Sequence, residues 1–357
     1  MQVLALDIGG ANIKAAQAPL SRSRDLSRQT KVHTLPFALW MEPAQLRAKL
    51  MQTVEGWPKA DVVLVTMTAE LCDCFASRAA GVEAVLAAVR DFAGQRPLKV
   101  WSMAQRRLQP AQARLDPLSV ASGNWHVLAS WQARLNPLDA SLLIDVGSTT
   151  TDITVIERGR IRAAGTDASR LERGELVYVG ADRTPLMAIP IPSRRAQGVA
   201  AMAERFATTA DVYVLTGDRP QQPGRRDTAD GRPLTRHDAV SRVLRMIGSD
   251  RSVAGDTADS LALSLADAYS RAVDERVAAG LHQTLQRCFG TRDARRLRKH
   301  LARVIVVGSG DFIAKRVAGQ VLPGVPVEVL SDHIGTKGST AACAWAMLHL
   351  YWLDEFS

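Results

Sequence analysis

Apolar residues along the chain fall into two patterns, one typical of buried strands and one typical of helices. Continuous apolar runs predict strands that are covered on both faces, at residues 3–6, 61–66, 98–101, 174–180, 211–215, 303–307 and 325–330. Apolar residues three or four positions apart predict helices, at residues 46–54, 81–92, 240–247, 256–288 and 340–353, with a turn at 335–339. Strands and helices that alternate in this way are typical of an α/β fold.

Two segments share one plan of strand, polar turn and strand. Val3–Lys14 reads VLALDIGGANIK, and Leu142–Ile156 reads LLIDVGSTTTDITVI. In each, the first strand delivers a carboxylate, Asp7 or Asp145, into a turn of small residues. The repeat predicts a duplicated fold with a cleft between its halves, and a domain boundary at about residue 138, where Asn136-Pro137 interrupts the chain.

Length and composition narrow the class of protein. A chain of 357 residues is more typical of two domains than of one, and its 46% apolar and 23% charged residues are ordinary for a globular protein. The net charge of +9 comes mainly from Arg. It is explained either by a compositional bias or by anionic substrates. No short basic run with interleaved aromatic residues is present, so a nucleic-acid partner is not expected.

The cysteines and the apolar segments indicate a location. The four cysteines include the pair Cys72 and Cys74 but no second pair, so no zinc site is predicted. A reduced, cytoplasmic protein is the simplest interpretation. The most apolar helix, near residues 341–353, is shorter than the roughly 20 residues of a membrane span, so no membrane association is expected.

Three glycine-containing turns are candidates for binding phosphate. Glycine lets the backbone approach phosphate oxygens, and the helix expected after Gly310 would point amide donors at an anion. Asp7 and Asp145, from the two halves, are the candidate Mg²⁺ ligands. The candidate phosphate-binding residues are Gly9, Gly10, Asn12, Lys14, Gly147, Ser148, Thr149, Thr150, Gly308, Ser309 and Gly310.

The order of these turns resembles the superfamily of actin, sugar kinases and heat-shock chaperones, in which two phosphate motifs precede an adenosine motif. Several further segments resemble the hydantoinase/oxoprolinase branch, and the whole chain is similar to the family of tetrahydromethanopterin-linked one-carbon-transfer pathway proteins, the methanofuran-biosynthesis condensing enzymes. The segments that carry this likeness are Ser122–Trp125, Thr166–Asp167, Arg170–Leu171, Gly174–Tyr178, Arg183–Pro185 and Asp227–Gly231.

The resemblance implies an actin-like/sugar-kinase (ribonuclease H-like) duplicated α/β fold with two domains and a central cleft. The expected domains are residues 1–138, residues 139–338 with substrate-binding insertions, and a helix at 339–357 that packs back across the domain junction. It also implies a Mg²⁺-dependent transferase that joins a phenolic acceptor to an aminomethylfuran-methyl diphosphate and releases pyrophosphate, with a homodimer as the candidate assembly. The alternatives are an ATP-dependent kinase or ATPase, and an actin-like or chaperone-like scaffold.

Roles for further polar residues stay open between chemistry and structure. Asp152 is a candidate catalytic carboxylate or a turn cap, and Asp145, Asp152 and Asp218 are candidates for the base that takes the phenolic proton. Several of the candidate substrate-binding residues have structural alternatives: a helix cap for Asn124, a surface ion pair for Arg170 and a plain turn for Asp230. The candidate substrate-binding residues are Asn124, Asp167, Arg170, Thr184, Asp218 and Asp230.

Overall fold

A computed structural model describes residues 1–21, 29–191 and 201–356. They form two compact units, and each unit is built from separate stretches of chain. The first unit comprises Met1–Ala140, Ile156–Asp167 and Val329–Ser357. The second comprises Ser141–Val155 and Ala168–Glu328. The chain thus first passes from one unit to the other between residues 140 and 141, two residues from the predicted boundary near 138.

The strands and helices alternate as an α/β fold requires. The strands are β1 (Gln2–Ile8), β2 (Asn12–Pro19), β3 (Lys31–Pro36), β4 (Val62–Met67), β5 (Leu98–Ser102), β6 (Arg106–Leu108), β7 (Ala140–Val146), β8 (Thr151–Glu157), β9 (Arg160–Arg162), β10 (Leu176–Val177), β11 (Arg303–Val307) and β12 (Val327–Val329). The helices are α1 (Leu46–Thr53), α2 (Arg78–Ala93), α3 (Pro110–Leu115), α4 (Asn124–Leu135), α5 (Asp167–Glu172), α6 (Thr209–Thr216), α7 (Arg236–Arg245), α8 (Arg251–Ala254), α9 (Ala258–Phe289), α10 (Ala294–His300), α11 (Asp311–Val321), α12 (Leu330–Thr340) and α13 (Ala342–Phe356). Short 3-10 helices lie at Pro43–Gln45, Ala69–Leu71, Pro117–Ser119, Leu186–Ala188 and Gly255–Thr257.

The sheet of the first unit has the strand order β3-β2-β1-β4-β5-β6. Strands β1, β4 and β5 run parallel to one another. Strand β2 is antiparallel to β1, strand β3 is antiparallel to β2, and strand β6 is antiparallel to β5. Because β1 and β4 are parallel neighbours, their carboxyl ends meet at one edge of the sheet. This edge receives the first Asp–Gly turn and the segment after β4, where α/β folds commonly bind ligands.

Helix α13 closes the core of the first unit. It packs against β1, β2, β4 and α4, and most of its residues from Ala342 to Tyr351 are buried. A helix that is apolar all round needs cover on several sides, and the sheet and α4 supply it. At its end, Asp354 pairs with Arg107 at 2.6 Å and with Arg134 at 3.1 Å. The last helix is therefore an integral part of the first unit.

The sheet of the second unit has the strand order β10-β8-β7-β11-β12, with β7 and β11 parallel. The 32-residue helix α9 packs against α6, α7 and α11. Five of the six residues of its predicted apolar stripe are buried, namely Leu265, Val273, Val277, Leu281 and Leu285, and the sixth, Leu261, is half-buried. Among the residues described, no helix in either unit combines the length and the apolar character that a membrane span requires.

Three predicted elements are wrong. Residues 211–215 form part of helix α6, because Thr208 and Asp211 make a reciprocal capping box at its start. All five residues are buried, so the sequence shows no alternation of apolar and polar positions with a helical period. The predicted strand at 174–180 is reduced to the two residues of β10. The predicted turn at 335–339 lies inside α12, which is kinked at Gly335, where φ is 73°.

Candidate functional site

The first Asp–Gly turn places Asp7 at the carboxyl end of β1. Lys14 on β2 and Thr66 on β4 are its neighbours in register. Lys14 Nζ lies 3.6 Å from Asp7 Oδ2, and the Asp7 side chain is 3% exposed. Burial raises the pKa of the Asp7 carboxyl, although the Lys14 ammonium acts in the opposite direction. Oδ1 of Asp7 is buried and has no hydrogen-bond partner among the residues described.

The turn itself is held by backbone hydrogen bonds. The amide of Gly9 donates to the carbonyl of Asn12 at 2.9 Å, and the carbonyl of Gly10 accepts from the amide of Leu39 at 2.9 Å. A Cβ at Gly10 would lie 2.6 Å from Sγ of Cys72. The turn residues Gly9, Gly10 and Asn12 are half-buried, so they lie at the surface edge of the sheet beside Asp7.

The surroundings of Asp7 fit a divalent cation. A buried carboxylate oxygen without a donor is costly unless a cation or donor satisfies it. The described residues contain no group of three or more His, Cys, Asp or Glu side chains suited to a metal. Mg²⁺ does not need such a group, because it commonly binds one or two carboxylates, substrate phosphates and waters. Oδ1 of Asp7 is a suitable ligand of this kind.

A second polar cluster in the first unit joins Glu70, Arg78, Ser122 and Asp167. Nη2 of Arg78 lies 3.1 Å from Glu70 Oε1, 2.6 Å from Ser122 Oγ and 3.2 Å from Asp167 Oδ2. Ser122 Oγ is also 3.0 Å from Glu70 Oε1 and 2.8 Å from Asp167 Oδ2. The Ser122 amide donates to Glu70 Oε1 at 2.8 Å. Asp167, a predicted substrate-binding residue, thus belongs to a connected carboxylate cluster that also includes the buried Glu70.

Asn124, another predicted substrate-binding residue, is the first residue of α4. Its Oδ1 accepts a hydrogen bond from the amide of Trp125 at 2.7 Å. This contact occupies the amide of the next residue, but the N-cap position is Gly123 and has no side-chain cap bond, so the capping alternative for Asn124 is wrong. The side chain remains half-buried.

In the second unit, three turns come together around the end of β7. The Gly147 amide donates to the Thr150 carbonyl at 2.9 Å, which closes the turn of Ser148 and Thr149. The Ser148 carbonyl accepts from the amides of Asp182 and Arg183 at 3.1 and 2.9 Å. A Cβ at Gly180 would lie 2.5 Å from the Ser148 carbonyl carbon and from the Thr149 nitrogen. The backbone at Gly180 therefore packs directly on the backbone of Ser148 and Thr149, and only glycine permits so close an approach.

The third turn, Gly308–Gly310, packs against the same strand end. Val307 is the register partner of Asp145, and a Cβ at Gly308 would lie 2.3 Å from the Val146 carbonyl oxygen. The Gly310 amide donates to that oxygen at 2.9 Å. Helix α11 begins at the next residue, and Ser309 Oγ is buried without a partner in the described part of the chain. The predicted phosphate-binding residues of the second unit thus form one connected set, next to a helix N-terminus.

Asp182 connects this set to two arginines that sequence reasoning did not single out. Arg219 Nη1 forms a short bond to Asp182 Oδ1, and Arg225 Nη1 donates to the same oxygen at 2.8 Å. Arg219 Nη2 also lies 3.4 Å from the Ser309 carbonyl oxygen. Burial alone would raise the pKa of the Asp182 carboxyl, but the two guanidinium groups outweigh burial and hold the pKa below its usual value.

The other predicted residues of the second unit have structural partners. Asp152 accepts from the buried Arg170 at 2.6 Å. Thr184 Oγ1 accepts from the Gly180 amide at 2.9 Å and so supports the close turn. Asp218 pairs with Arg316 at 3.0 Å.

Asp230 lies at the end of the polar loop of the second unit. It pairs with the buried Arg242 at 2.9 Å, and that guanidinium also binds Asp211 at 2.7 Å. These contacts favour a role for Asp230 in fixing the loop onto α7 and α6. Arg78, Asp182, Arg219 and Arg225 were absent from the predicted site. Several of their partners are far away in sequence, such as Asp167, which is 89 residues from Arg78.

Comparison with known proteins identifies the fold class first. The nucleotide-free structure of acetone carboxylase aligns over 97% of this chain and 69% of that chain, with a TM-score of 0.51 and 12% identity. This likeness shows the fold alone. With the two sheets and their Asp–Gly turns, it shows the α/β fold of the actin-like and sugar-kinase type, as predicted.

The family follows from sequence. Residues 61–349 match the hydantoinase/oxoprolinase family, and the chain belongs to it. A (4-{4-[2-(gamma-L-glutamylamino)ethyl]phenoxymethyl}furan-2-yl)methanamine synthase of Methanocaldococcus jannaschii is 30% identical over 72% of this chain and 74% of its own length. The synthase of the same name from Methanococcus vannielii is 32% identical over 34% of this chain and 56% of its own length. The predicted family is thereby confirmed.

Proposed function

We propose that this protein is a transferase that joins a phenolic acceptor to an aminomethylfuran-methyl diphosphate and releases pyrophosphate. The single observation that carries the proposal is the connected set of turns in the second unit, which suits a substrate with two phosphates. The relationship to the two synthases supports the choice of substrates, because the product in the name of these enzymes contains a phenoxymethyl link between a phenol and a furan.

The reaction is a substitution at the methylene carbon of the furan. A lone pair of the phenolic oxygen forms the new carbon–oxygen bond as the bond from that carbon to the diphosphate oxygen breaks. The bonding pair leaves with pyrophosphate, and the phenolic proton passes to a carboxylate or to water. The protein must therefore stabilise negative charge on the leaving diphosphate and accept one proton.

Each phosphate-binding group has a defined chemical role in this proposal. Amides and hydroxyls of Gly147–Thr150 and the N-terminus of α11 after Gly310 donate to diphosphate oxygens. Lys14 offers a positive charge beside Asp7. We propose Asp7 and Asp145 as ligands of Mg²⁺, which when bound would supply further neutralisation of the diphosphate charge. The arginine contacts of Asp152 and Asp218 make these two carboxylates less suited to accept the phenolic proton.

The test is a pyrophosphate-release assay with purified protein, the phenol, the furan diphosphate and Mg²⁺. The proposal predicts release of one pyrophosphate per ether formed, with both products measured by mass spectrometry and coupled phosphate detection. Release without ether would indicate hydrolysis of the diphosphate alone. No turnover with Mg²⁺ present would refute the proposed reaction.

An ATP-dependent kinase or ATPase is the second candidate. One observation favours it: Gly308–Gly310 leads directly into α11, so a helix N-terminus is available to a nucleotide phosphate. This candidate predicts heat from ATP binding in calorimetry, and a flat ATP titration would refute it. The expected homodimer and the cytoplasmic location remain predictions.

A further inference from the structure

Asp182 holds two arginines from the loop after α6 against the second Asp–Gly turn. The amide of Ala181 donates to the Gly147 carbonyl at 2.9 Å, so the segment that carries Asp182 is fixed on the turn. Nη1 of Arg219 and Nη1 of Arg225 both donate to Oδ1 of Asp182. Because the Asp182 side chain is only 11% exposed, both guanidinium groups lie close to the turn.

The two arginines differ in how many of their N–H groups are used. Arg225 also binds a second carboxylate, since its Nε and Nη2 donate to Asp227 at 2.6 and 3.3 Å. Arg219 binds only Asp182 and two backbone carbonyls, and its Nη2 reaches the Ser309 carbonyl at 3.4 Å. A guanidinium carries five N–H donors, so Nε–H and one proton of Nη2 of Arg219 have no acceptor among the described residues. Nε and Nη2 share one edge of the planar guanidinium, and such an edge can bind two phosphate oxygens at once.

The turn that Arg219 reaches, Gly308–Gly310, offers further unused donors. Oγ of Ser309 is buried, and it has no hydrogen-bond partner in the part of the chain that the structure describes. No side chain caps the start of α11 at Gly310, and the first amides of a helix have no partner within the helix. Donors from a guanidinium, a hydroxyl and a helix N-terminus thus lie at one turn, an arrangement that suits an anion with several oxygens.

Two carboxylates at the same turn narrow the kind of anion. A Cβ at Gly308 would lie 2.5 Å from Oδ1 of Asp145, and Asp311 is the first residue of α11. Both carboxylates would repel an anion that arrives without a cation. Mg²⁺ is commonly held by one or two carboxylates together with substrate phosphates. A diphosphate that binds with Mg²⁺ therefore fits this turn better than a simple anion does.

We propose that Arg219 binds the diphosphate of the furan substrate at the Gly308–Gly310 turn, through Nε and Nη2. This inference rests on the proposed function, in which pyrophosphate is the leaving group. When the carbon–oxygen bond breaks, its electron pair stays on the diphosphate. The Arg219 guanidinium stabilises that charge by hydrogen bonding and keeps its own protons. Arg225, which is held by Asp182 and Asp227, does not contact the diphosphate.

The test is calorimetry with inorganic pyrophosphate and Mg²⁺, which needs no turnover. Arg219→Gln should weaken pyrophosphate binding by roughly tenfold or more, because hydrogen bonds to a charged group are lost. Arg225→Gln is the matched control, because it removes the other guanidinium from the same oxygen of Asp182. Its affinity should change by less than about threefold. A purely structural role in holding the loop would affect both variants alike, and urea unfolding measures that shared part.

Equal losses of affinity in the two variants, or no pyrophosphate binding by the unmodified protein, would overturn the role of Arg219. Arg219→Lys keeps the charge without the planar fork and provides a second variant if Arg219→Gln does not fold; unchanged affinity in it would overturn binding through Nε and Nη2. Tighter binding of ADP than of pyrophosphate would overturn the assignment to the furan diphosphate. Pyrophosphate binding that depends on Arg219, without ether formation, would refute the reaction but not the residue. Turnover that Arg219→Gln leaves unchanged would refute the residue but not the reaction.

Discussion

The two Asp–Gly turns follow one sequence plan but have different surroundings. In the first unit, Asp7 is buried beside Lys14, and the neighbouring strand end carries a cluster of charged side chains. In the second unit, Asp145 is half-buried, and the turn after it packs by its backbone against Gly180 and next to Gly308. The same motif thus lies beside charged side chains in one unit and beside closely packed backbone in the other.

The largest expected effect comes from the two aspartates themselves. Asp7→Asn and Asp145→Asn should each lower kcat/KM for pyrophosphate release by roughly 10³-fold, because each removes a proposed metal ligand. The free energy of unfolding should not fall for Asp7→Asn, because an amide of the same size avoids the cost of a buried charge. Urea unfolding checks this, with Asp91→Asn as the control. Full activity in either variant would refute that residue as a Mg²⁺ ligand.

The next effect concerns the cations beside the two turns. Arg170 is 1% exposed and lies 2.6 Å from Asp152, whereas Lys14 is 29% exposed and lies 3.6 Å from Asp7. Arg170→Met should lower the free energy of unfolding by about 3 kcal/mol, because it leaves Asp152 without its buried partner. Lys14→Met should cost about 1 kcal/mol or less, since its partly exposed ammonium lies farther from its carboxylate and stays hydrated. Urea unfolding of both variants gives the comparison, and equal losses would contradict it.

A smaller effect on stability is expected when alanine replaces Gly180, which packs on the second Asp–Gly turn, or Gly10, which lies in the first. Gly180→Ala places a methyl 2.5 Å from backbone atoms of Ser148 and Thr149, and should lower the free energy of unfolding by about 1–3 kcal/mol. Gly10→Ala meets only Sγ of Cys72, which can rotate away, so its cost should be below about 1 kcal/mol.

The matched control for these glycines is Gly319→Ala in α11. A Cβ there meets no atom within 4 Å, and alanine should stabilise the helix by about 0.5–1 kcal/mol. Thermal unfolding ranks the three variants, and pyrophosphate titration should show weaker binding for Gly180→Ala alone. A Gly180→Ala protein as stable as Gly10→Ala would mean that the Ser148 turn can shift freely.

The smallest effect is the pH dependence of stability. The pKa of the Asp182 carboxyl is lowered from its ordinary value of 3.8. Its carboxylate therefore contributes stability that is fully present above pH 3.8 and is lost as the pH falls through the lowered pKa. The pKa of Asp7 is raised, so stability is lost instead as the pH rises from 3.8 through the raised pKa. Urea unfolding between about pH 7 and pH 3 should show a shallower acid loss for Asp182→Asn than for the unmodified protein. A steeper loss would contradict the ion pairs with Arg219 and Arg225.

Sequence reasoning identified the strands and turns that lie close together along the chain. The strand at 303–307 was predicted with the bounds that the structure has, because a continuous branched run has few alternatives. Residues 211–215 were misassigned, because an entirely buried helix shows no polar face. The capping pair of Thr208 and Asp211 was the signal that indicated a helix start.

The charge clusters were less accessible from sequence, because they join residues that are distant along the chain. Asp182 meets Arg219 and Arg225 across separations of 37 and 43 residues. Ser122 and Asp167 were each noted for their family resemblance, but nothing local indicated that Glu70 and Arg78 would join them. Side-chain pairing of this kind follows from the sheet order, which local patterns do not specify.

The three-segment construction of the first unit has a consequence for biosynthesis. Its sheet is made early, but α13, which covers β1, β2 and β4, is translated after every residue of the second unit. During synthesis, the second unit can therefore complete its own core while the apolar face of the first sheet is still without this helix. We expect nascent chains that lack residues 342–356 to recruit chaperones that bind apolar surface, and to release them once this last helix leaves the ribosome.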